Sequence, residues 1–176
     1  MALREIDYQN LQFNPMTMIG QEWMLITAGN MVRGVNTMTA AWGHLGSIWD
    51  LPGRKSHLPT ACIYVRPQRY TKEFVDREEF FTLSVFDDSW KKQLSYLGTV
   101  SGRNENKIEK AGLTPVYEDD TTWFAEAKLV FVCRKLYQQE MREECFVDQE
   151  LVERNYPKRD FHTMYIGEIV KVLINE

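Results

Sequence analysis

The chain has 176 residues, of which 44% are hydrophobic and 26% are charged, and its net charge is -4. This length and composition exclude a disordered chain and predict one globular domain over residues 1–176. The acidic balance lacks the basic excess that usually marks a nucleic-acid-binding domain, so no nucleic-acid partner is expected.

The N-terminal segment and the cysteines favour a cytoplasmic protein. The stretch "MALREIDYQN" is charged, and no run approaches the roughly 18 apolar residues of a membrane-spanning helix. Cys62, Cys133 and Cys145 are far apart and form no C-x-x-C pair. Reduced structural thiols are therefore expected instead of a disulfide frame or a metal site, and no membrane association is expected.

Six strand-like runs, rich in β-branched and aromatic residues, follow one another along the chain. They cover residues 22–30, 34–42, 60–67, 80–86, 123–137 and 162–174. Four short helices are predicted at 71–79, 88–98, 104–112 and 148–156, with Gly98 ending the second. Because no regular helical crossovers separate the strands, we expect a mainly antiparallel barrel with short peripheral helices.

The run "FFTLSVF" alternates with a period of two residues. Phe81, Leu83 and Val85 share one face of the predicted strand, whereas Thr82 and Ser84 share the other. A polar face on a strand of a small domain predicts a wet or ligand-bearing side.

The stretch "NTMTAAWG" from Asn36 to Gly43 is unusual because threonine, alanine and glycine dominate it. Small side chains cover little surface in a strand. We interpret this stretch as a place where a flat group comes close to the backbone.

Basic side chains gather at two turns. In "CIYVRPQRYTKEF" a strand delivers Arg66, and Arg69, Thr71 and Lys72 follow at a predicted helix start. Paired guanidinium donors and free helix N–H groups suit a phosphate. The alternative is a solvated turn whose arginines pair with nearby carboxylates (Asp76, Glu78 or Glu79). The second turn, "SGRNENKIEK", contains Lys107, but by itself such a loop is more typical of a plain solvent-facing turn.

Taken in order, these stretches resemble a known family. "NTMTAAWG", "IYVRPQRYT", "FTLSVF", "GRNENK" and "DFHTMYIGEI" together are similar to the flavin reductase-like family with the FMN-binding split-barrel fold. The resemblance runs from about residue 22 to the C-terminus. It implies a mainly β fold, namely a six-stranded antiparallel split β-barrel of Greek-key type, and a homodimer with FMN at its interface.

The resemblance also implies roles for particular residues. The residues expected to flank the flavin ring are Thr37, Thr39, Ala40, Ala41 and Trp42. Asn36 would fix the turn of that strand or meet the ribityl chain, and Ser84 would line the same cavity. The phosphate would be bound by Arg69 and Thr71, with Arg66 and Lys107 as further candidates.

His162 is the one candidate catalytic residue, because the family can place a histidine at this position near the nicotinamide or flavin edge. The alternative is a histidine bonded to a neighbouring carboxylate such as Asp160. The loop 43–59 would cover either the flavin or a dimer partner, and the sequence does not decide which.

The function implied by the resemblance is an FMN-containing oxidoreductase in which NAD(P)H passes hydride to flavin N5 and the electrons go on to a flavin or another acceptor. One alternative is a flavoredoxin-like FMN electron carrier that is reduced by a redox protein partner and has negligible NAD(P)H activity. Others are a binding module for a different planar ligand such as haem, or a scaffold without a cofactor. The sequence separates neither NADH from NADPH nor a tightly held FMN from an exchangeable one.

Overall fold

The computed structural model describes residues 3–53 and 56–175. The described residues form ten strands, β1 to β10 in chain order: Arg4–Ile6, Met24–Asn30, Gly34–Ala40, Gly43–Ile48, Leu58–Val65, Phe80–Val85, Pro115–Glu118, Thr121–Phe124, Leu129–Glu140 and Thr163–Ile174. They also form five short α-helices, α1 to α5: Pro15–Thr17, Thr71–Arg77, Lys91–Thr99, Lys107–Lys110 and Gln149–Asn155. A π-helical turn at Met18–Glu22 extends α1, and 3-10 turns lie at Tyr8–Asn10, Asp88–Trp90 and Glu143–Cys145.

Eight of the described strands build one antiparallel sheet. Its order is β3-β2-β6-β9-β10-β5-β4, with β1 beside the second half of β10, and β7 pairs with β8 as a separate hairpin. The mainly β antiparallel architecture is thus confirmed, but the sheet has eight strands and not six. The two strands absent from the prediction carry weak signals, because β1 has three residues and β4 (GHLGSI) contains two glycines.

The connection between β3 and β4 shows that the sheet is curled into a barrel. These strands are the two opposite edges of the sheet, yet only Ala41 and Trp42 separate them in sequence. A link of this length keeps Ala40 and Gly43 within about 11 Å of each other. The edges therefore meet at one end and leave a seam between them, which makes this a split barrel.

The barrel interior is filled by the inward faces of the strands. Phe81, Leu83 and Val85 of β6 pack there with Phe131 and Tyr165, as the period-two pattern predicts. Gly167 in β10 is required by this packing, because an added Cβ would lie 2.8 Å from the ring of Phe81. The register of β10 against β9 shifts beside it, which helps the long strands to bend.

The opposite face of β6 is buried, so the prediction of a wet or ligand-bearing side is wrong. Thr82 and Ser84 are 1% and 0% exposed, and the hydroxyl of Thr82 donates to the carbonyl of Thr122 in β8 at 2.6 Å. The β7–β8 hairpin covers this face together with α3, around Leu97 and Trp123. The hairpin was missed because residues 123–137 read as one continuous strand, whereas the chain leaves β8 after Phe124 and starts β9 at Leu129.

Helix α3 lies directly on β3. Gly98 was predicted to end this helix, but it lies within it, and the helix continues to Thr99. A Cβ at Gly98 would lie 3.3 Å from Cβ of Thr39, so the glycine allows close contact with the strand. The close packing positions the last carbonyls of α3 beside the seam.

No helix within residues 3–53 and 56–175 is long and apolar enough to cross a membrane. Cys62, Cys133 and Cys145 are free. Cys133 is buried in the barrel core, and this burial raises the pKa of its thiol.

Candidate functional site

Two hollows meet at the two-residue link between β3 and β4. The polar cleft has a volume of about 180 Å³ and is lined by Met38, Thr39, Ala40, Ala41, Trp42, Tyr64, Arg66, Arg69 and His162. The apolar cleft has a volume of about 580 Å³ and shares Ala41, Trp42 and Tyr64 with it. The polar cleft brings together the predicted site residues Thr39, Ala40, Ala41, Trp42, Arg66, Arg69 and His162.

The small residues at the end of β3 point in different directions. Ala40 is 8% exposed and packs in the barrel core, whereas Ala41 is exposed at the link. The hydroxyl of Thr39 donates to the Leu94 carbonyl of α3 at 2.5 Å. Because β3 is an edge strand of the described sheet, its outward backbone groups are available to a ligand at the seam.

Arg69 and Lys107 bring two cationic groups to the C-terminal end of α3. Arg69 donates to the Gly98 carbonyl at 2.6 Å, and Lys107 donates to the carbonyls of Leu97 and Val100 at 2.9 and 3.0 Å. Lys107 is only 4% exposed. Among the described residues, no carboxylate lies within 4.0 Å of either cationic group.

The surroundings of Lys107 therefore disfavour its charged form. Burial, and then repulsion from Arg69, lower the pKa of Lys107 to about 8. The helix carbonyls satisfy hydrogen bonds and partly offset the charge. A bound anion would supply the compensating charge that no described carboxylate provides.

Lys107 also lines a third hollow, the polar groove, which has a volume of about 530 Å³ and runs past Asn36, Tyr70, Gly102 and Arg103. The amide of Asn36 donates from Nδ2 to the Thr71 hydroxyl at 2.8 Å, which ties the start of β3 to α2. Asn36 and Lys107, both predicted site residues, thus meet in this groove and not in the polar cleft.

Arg66 differs from Arg69 because its charge is already paired. It donates to Asp160 at 2.7 Å and to the Asn155 carbonyl at 2.7 Å, and it lies over the ring of Tyr156. The hydrogen bond from Arg66, with a second one from Gln68, holds the pKa of Asp160 below its ordinary value. Arg66 therefore ties β5 to the segment that precedes β10.

The carboxylates near the basic turn have partners other than those proposed for the solvated alternative. Lys72 pairs with Asp76 at 2.8 Å, and Glu78 pairs with Arg33 and Arg77. Neither Arg66 nor Arg69 forms an ion pair with Asp76, Glu78 or Glu79 among the described contacts. The turn is thus not a simple network of local ion pairs.

His162 is buried beneath Trp42. Its Nδ1 lies 2.8 Å from the hydroxyl of Tyr156, and its ring centroid is 5.0 Å from that of Trp42. The alternative of a histidine bonded to Asp160 is wrong, because the carboxylate of Asp160 accepts hydrogen bonds from Arg66 and Gln68 instead. Burial, followed by the nearby positive charge of Arg66, lowers the pKa of His162 to about 4. The imidazole is neutral at neutral pH.

Three predicted residues line none of these hollows. Thr37 is fully buried, and its hydroxyl lies 2.8 Å from that of Thr27 on the side of β3 that faces α3. Ser84 is fully buried beneath α3 and the β7–β8 hairpin, so the expectation that it lines the flavin cavity is wrong. Thr71 is 1% exposed and contacts the site through Asn36.

Sequence reasoning missed Tyr64 and Tyr156. Tyr64 precedes Arg66 by two residues in an extended segment, so the period of two could have placed both on one face. Tyr156 follows α5, and no local pattern indicated that it would contact His162.

A scan against protein-family models and a search of curated protein sequences gave no match. Solved structures do match. An FMN-binding flavin reductase-like protein of Shewanella baltica has a TM-score of 0.65 at 13% identity, over 98% of this chain and 76% of that one. The flavoredoxin of Desulfovibrio vulgaris has a TM-score of 0.64 at 22% identity, with the same coverage.

A third match is an NADH:FAD oxidoreductase of Streptomyces globisporus, with a TM-score of 0.62 at 15% identity over 88% of this chain and 75% of that one. The fold of the chain is therefore the split barrel of flavin reductase-like FMN-binding proteins, as the resemblance implied.

Proposed function

We propose that this protein is an FMN-binding oxidoreductase whose seam between β3 and β4 takes the flavin. The observation that carries the proposal is the pair Arg69 and Lys107, which stand beside a strand of small residues with no carboxylate partner among the described residues. A flavin phosphate is a dianion and would supply the missing charge. The fold similarity supports the same ligand class.

The residues present fit FMN. Lys107 uses two of its three N–H donors on carbonyls and retains one for a phosphate oxygen. Arg69 likewise retains guanidinium donors beyond the one that binds Gly98. Ala41 is exposed beside Trp42 where the polar and apolar clefts meet, and its small side chain does not block a flat ring there. We assign Arg69 of the polar cleft and Lys107 of the polar groove together to the phosphate, because both bind carbonyls at the C-terminal end of α3, and we assign the end of β3 to the ring.

When bound, FMN would supply the redox chemistry by accepting a hydride and passing electrons on. The chain itself would orient the ring and exclude water from one side of it. Trp42 is placed to shield the ring, and neutral His162 can form a hydrogen bond without adding charge. Arg66 lines the same polar cleft, and its bonds to Asp160 and the Asn155 carbonyl fix the segment that carries Tyr156.

We further propose NAD(P)H as the electron donor, supported by the NADH:FAD oxidoreductase among proteins of this fold. The test is anaerobic addition of NADH and then NADPH to the FMN-loaded protein while its visible flavin bands are followed. Rapid bleaching by one nicotinamide is expected. Bands that persist with both nicotinamides but bleach with a reduced redox protein would favour the flavoredoxin-like carrier instead.

A homodimer is part of the proposal. Ile48 at the end of β4 and Trp49 directly after it are large apolar side chains that are more than 40% exposed, which is a typical feature of a surface that a partner covers. We expect the FMN-loaded protein to have twice the mass of the chain in light scattering. A monomer that still binds FMN would remove the dimer from the proposal and leave the cofactor.

The affinity for FMN is expected to fall at alkaline pH. Lys107 is protonated below its pKa of about 8 and neutral above it. If only the protonated lysine binds the phosphate, the dissociation constant for FMN rises about tenfold between pH 7 and pH 9. Titrations of flavin fluorescence across this range measure the effect.

The control ligand is riboflavin, which has no phosphate and should bind equally at both pH values. The Lys107→Met variant should bind FMN weakly at pH 7 with a flat pH profile. An unchanged tenfold effect in that variant would show that another group is responsible.

A further inference from the structure

The apolar cleft stands apart from the polar cleft in its chemistry. Its walls are formed by α1 and its π-helical extension, by the start of β4, and by the segment from Met141 to Tyr156. In the described parts of the chain, this lining contains no aspartate, glutamate, lysine or arginine. Its volume of about 580 Å³ lies within the range of small-molecule sites.

Aromatic rings build the boundary between the two clefts. The ring of His162 lies 5.0 Å from that of Trp42, 6.4 Å from that of Tyr64 and 5.5 Å from that of Tyr156. Trp42 remains 45% exposed, so one large ring is open to a ligand. Flat apolar walls of this kind favour a planar aromatic ligand, because aromatic rings stack face to face with an offset or edge to face.

Two tyrosine hydroxyls bring hydrogen-bonding groups to this boundary. Tyr156 lines the apolar cleft, and its hydroxyl lies 2.8 Å from Nδ1 of His162, which lines the polar cleft. When His162 donates from Nδ1, the hydrogen of the tyrosine hydroxyl points elsewhere, and its weak contact with the Met141 sulfur at 3.8 Å can be exchanged for a ligand oxygen. Tyr64 and His44 also line this cleft, and the hydroxyl of Tyr64 lies 3.3 Å from Nδ1 of His44. The described lining offers hydrogen bonds but no aspartate, glutamate, lysine or arginine to pair with an ionic ligand.

We propose that the apolar cleft binds an uncharged planar aromatic carbonyl compound, of the class that includes quinones. The cleft does not suit the diphosphate of a dinucleotide, because the described lining offers no cation for it. The ligand would lie against Trp42 and thus beside the proposed flavin site. Its role as an electron acceptor rests on the proposed function, whereas its binding does not.

The test is isothermal titration calorimetry of the whole protein with menadione, a neutral naphthoquinone. Saturable one-site binding is expected. Inorganic phosphate, which would occupy the anion site at Arg69 and Lys107, should not compete with it. This result separates the two proposals, because the apolar cleft can bind menadione even if the flavin site is assigned wrongly.

The variant Leu151→Asp places a carboxylate on the wall of the cleft, where Leu151 is 48% exposed. Menadione should bind at least about tenfold more weakly, because an apolar ligand would desolvate the new charge. The matched control is Leu51→Asp, since Leu51 is 41% exposed and does not line the cleft. FMN binding should be the same in both variants.

Three results would overturn the proposal. The first is that menadione does not bind the unmodified protein. The second is that menadione binds Leu151→Asp as tightly as it binds the unmodified protein. The third is a change of oligomeric state in Leu151→Asp alone, which would show that a second copy of the chain covers the cleft.

Discussion

Replacing Arg69 with alanine and Lys107 with methionine is expected to weaken FMN binding by at least about 100-fold. Each side chain would lose a charge-assisted hydrogen bond to the phosphate, and such bonds contribute about 1.5–3 kcal/mol each. Two of them correspond to a factor of about 100 or more in the dissociation constant. Fluorescence titration with FMN measures it directly.

Riboflavin distinguishes this effect from a damaged fold. Arg69 and Lys107 also bind the last carbonyls of α3, so their removal lowers stability to some extent. If the ring site remains intact, the variant should bind riboflavin as the unmodified protein does. Equal loss of FMN and riboflavin affinity would contradict the phosphate assignment.

The matched control for the lysine is Lys110→Met. Lys110 lies one turn further along the same segment, is exposed and pairs with Glu105. Removing its charge should leave FMN affinity unchanged. A loss as large as that of the double variant would indicate a general electrostatic effect instead of a phosphate site.

The second large effect is expected at Glu78, whose substitution by glutamine should lower the free energy of unfolding by about 3 kcal/mol. This carboxylate is 4% exposed and accepts hydrogen bonds from Arg33 at 2.7 Å and from Arg77 at 2.6 Å. Arg33 also binds Asp120 of the β7–β8 turn at 2.8 Å. The network therefore ties the β2–β3 turn to the end of α2. Arg69 lies just before the start of the same helix.

Burial alone would raise the pKa of Glu78, but the hydrogen bonds from Arg33 and Arg77 outweigh it and leave the pKa below its ordinary value of 4.5. A lowered carboxylate pKa stabilises the fold above that ordinary value, and this stabilisation is lost as the pH falls through the folded-state pKa. Chemical denaturation at pH 7 and at pH 4 should therefore show a smaller pH effect in Glu78→Gln.

The neighbouring exposed Glu79 provides the control, because Glu79→Gln changes the same charge without the buried contacts. It should leave the free energy of unfolding within about 0.5 kcal/mol of the original. Equal destabilisation by both substitutions would show that net charge and not the Glu78 network is responsible.

The sequence predicted the strands that have a clear period or dense β-branched residues. It failed where tertiary contacts decide, as in β1 and in the glycine-containing β4, which are strands mainly because β10 and β5 pair with them. The polar face of β6 illustrates the same limit. Thr82 and Ser84 read as solvated, but a hairpin more than 30 residues later in the chain covers them.

The part of the site that could be predicted consists of residues that directly follow predicted strands. Ala41 and Trp42 directly follow β3, and Arg69 lies in the turn after β5. All three line the polar cleft, and each follows a strand that the sequence predicted. Which cations are paired was not predictable. Arg66 and Arg69 are three residues apart, yet only Arg66 meets Asp160, which lies 94 residues later. The contact between Tyr156 and His162 likewise depends on how the segment 141–161 folds back.

The visible spectrum of the freshly purified protein, recorded before and after incubation with FMN, shows whether the seam between β3 and β4 binds a flavin through its phosphate. The expected result is that flavin absorption bands remain with the protein through gel filtration and that riboflavin is retained more weakly. A protein that is colourless as purified and retains no FMN after incubation would contradict it.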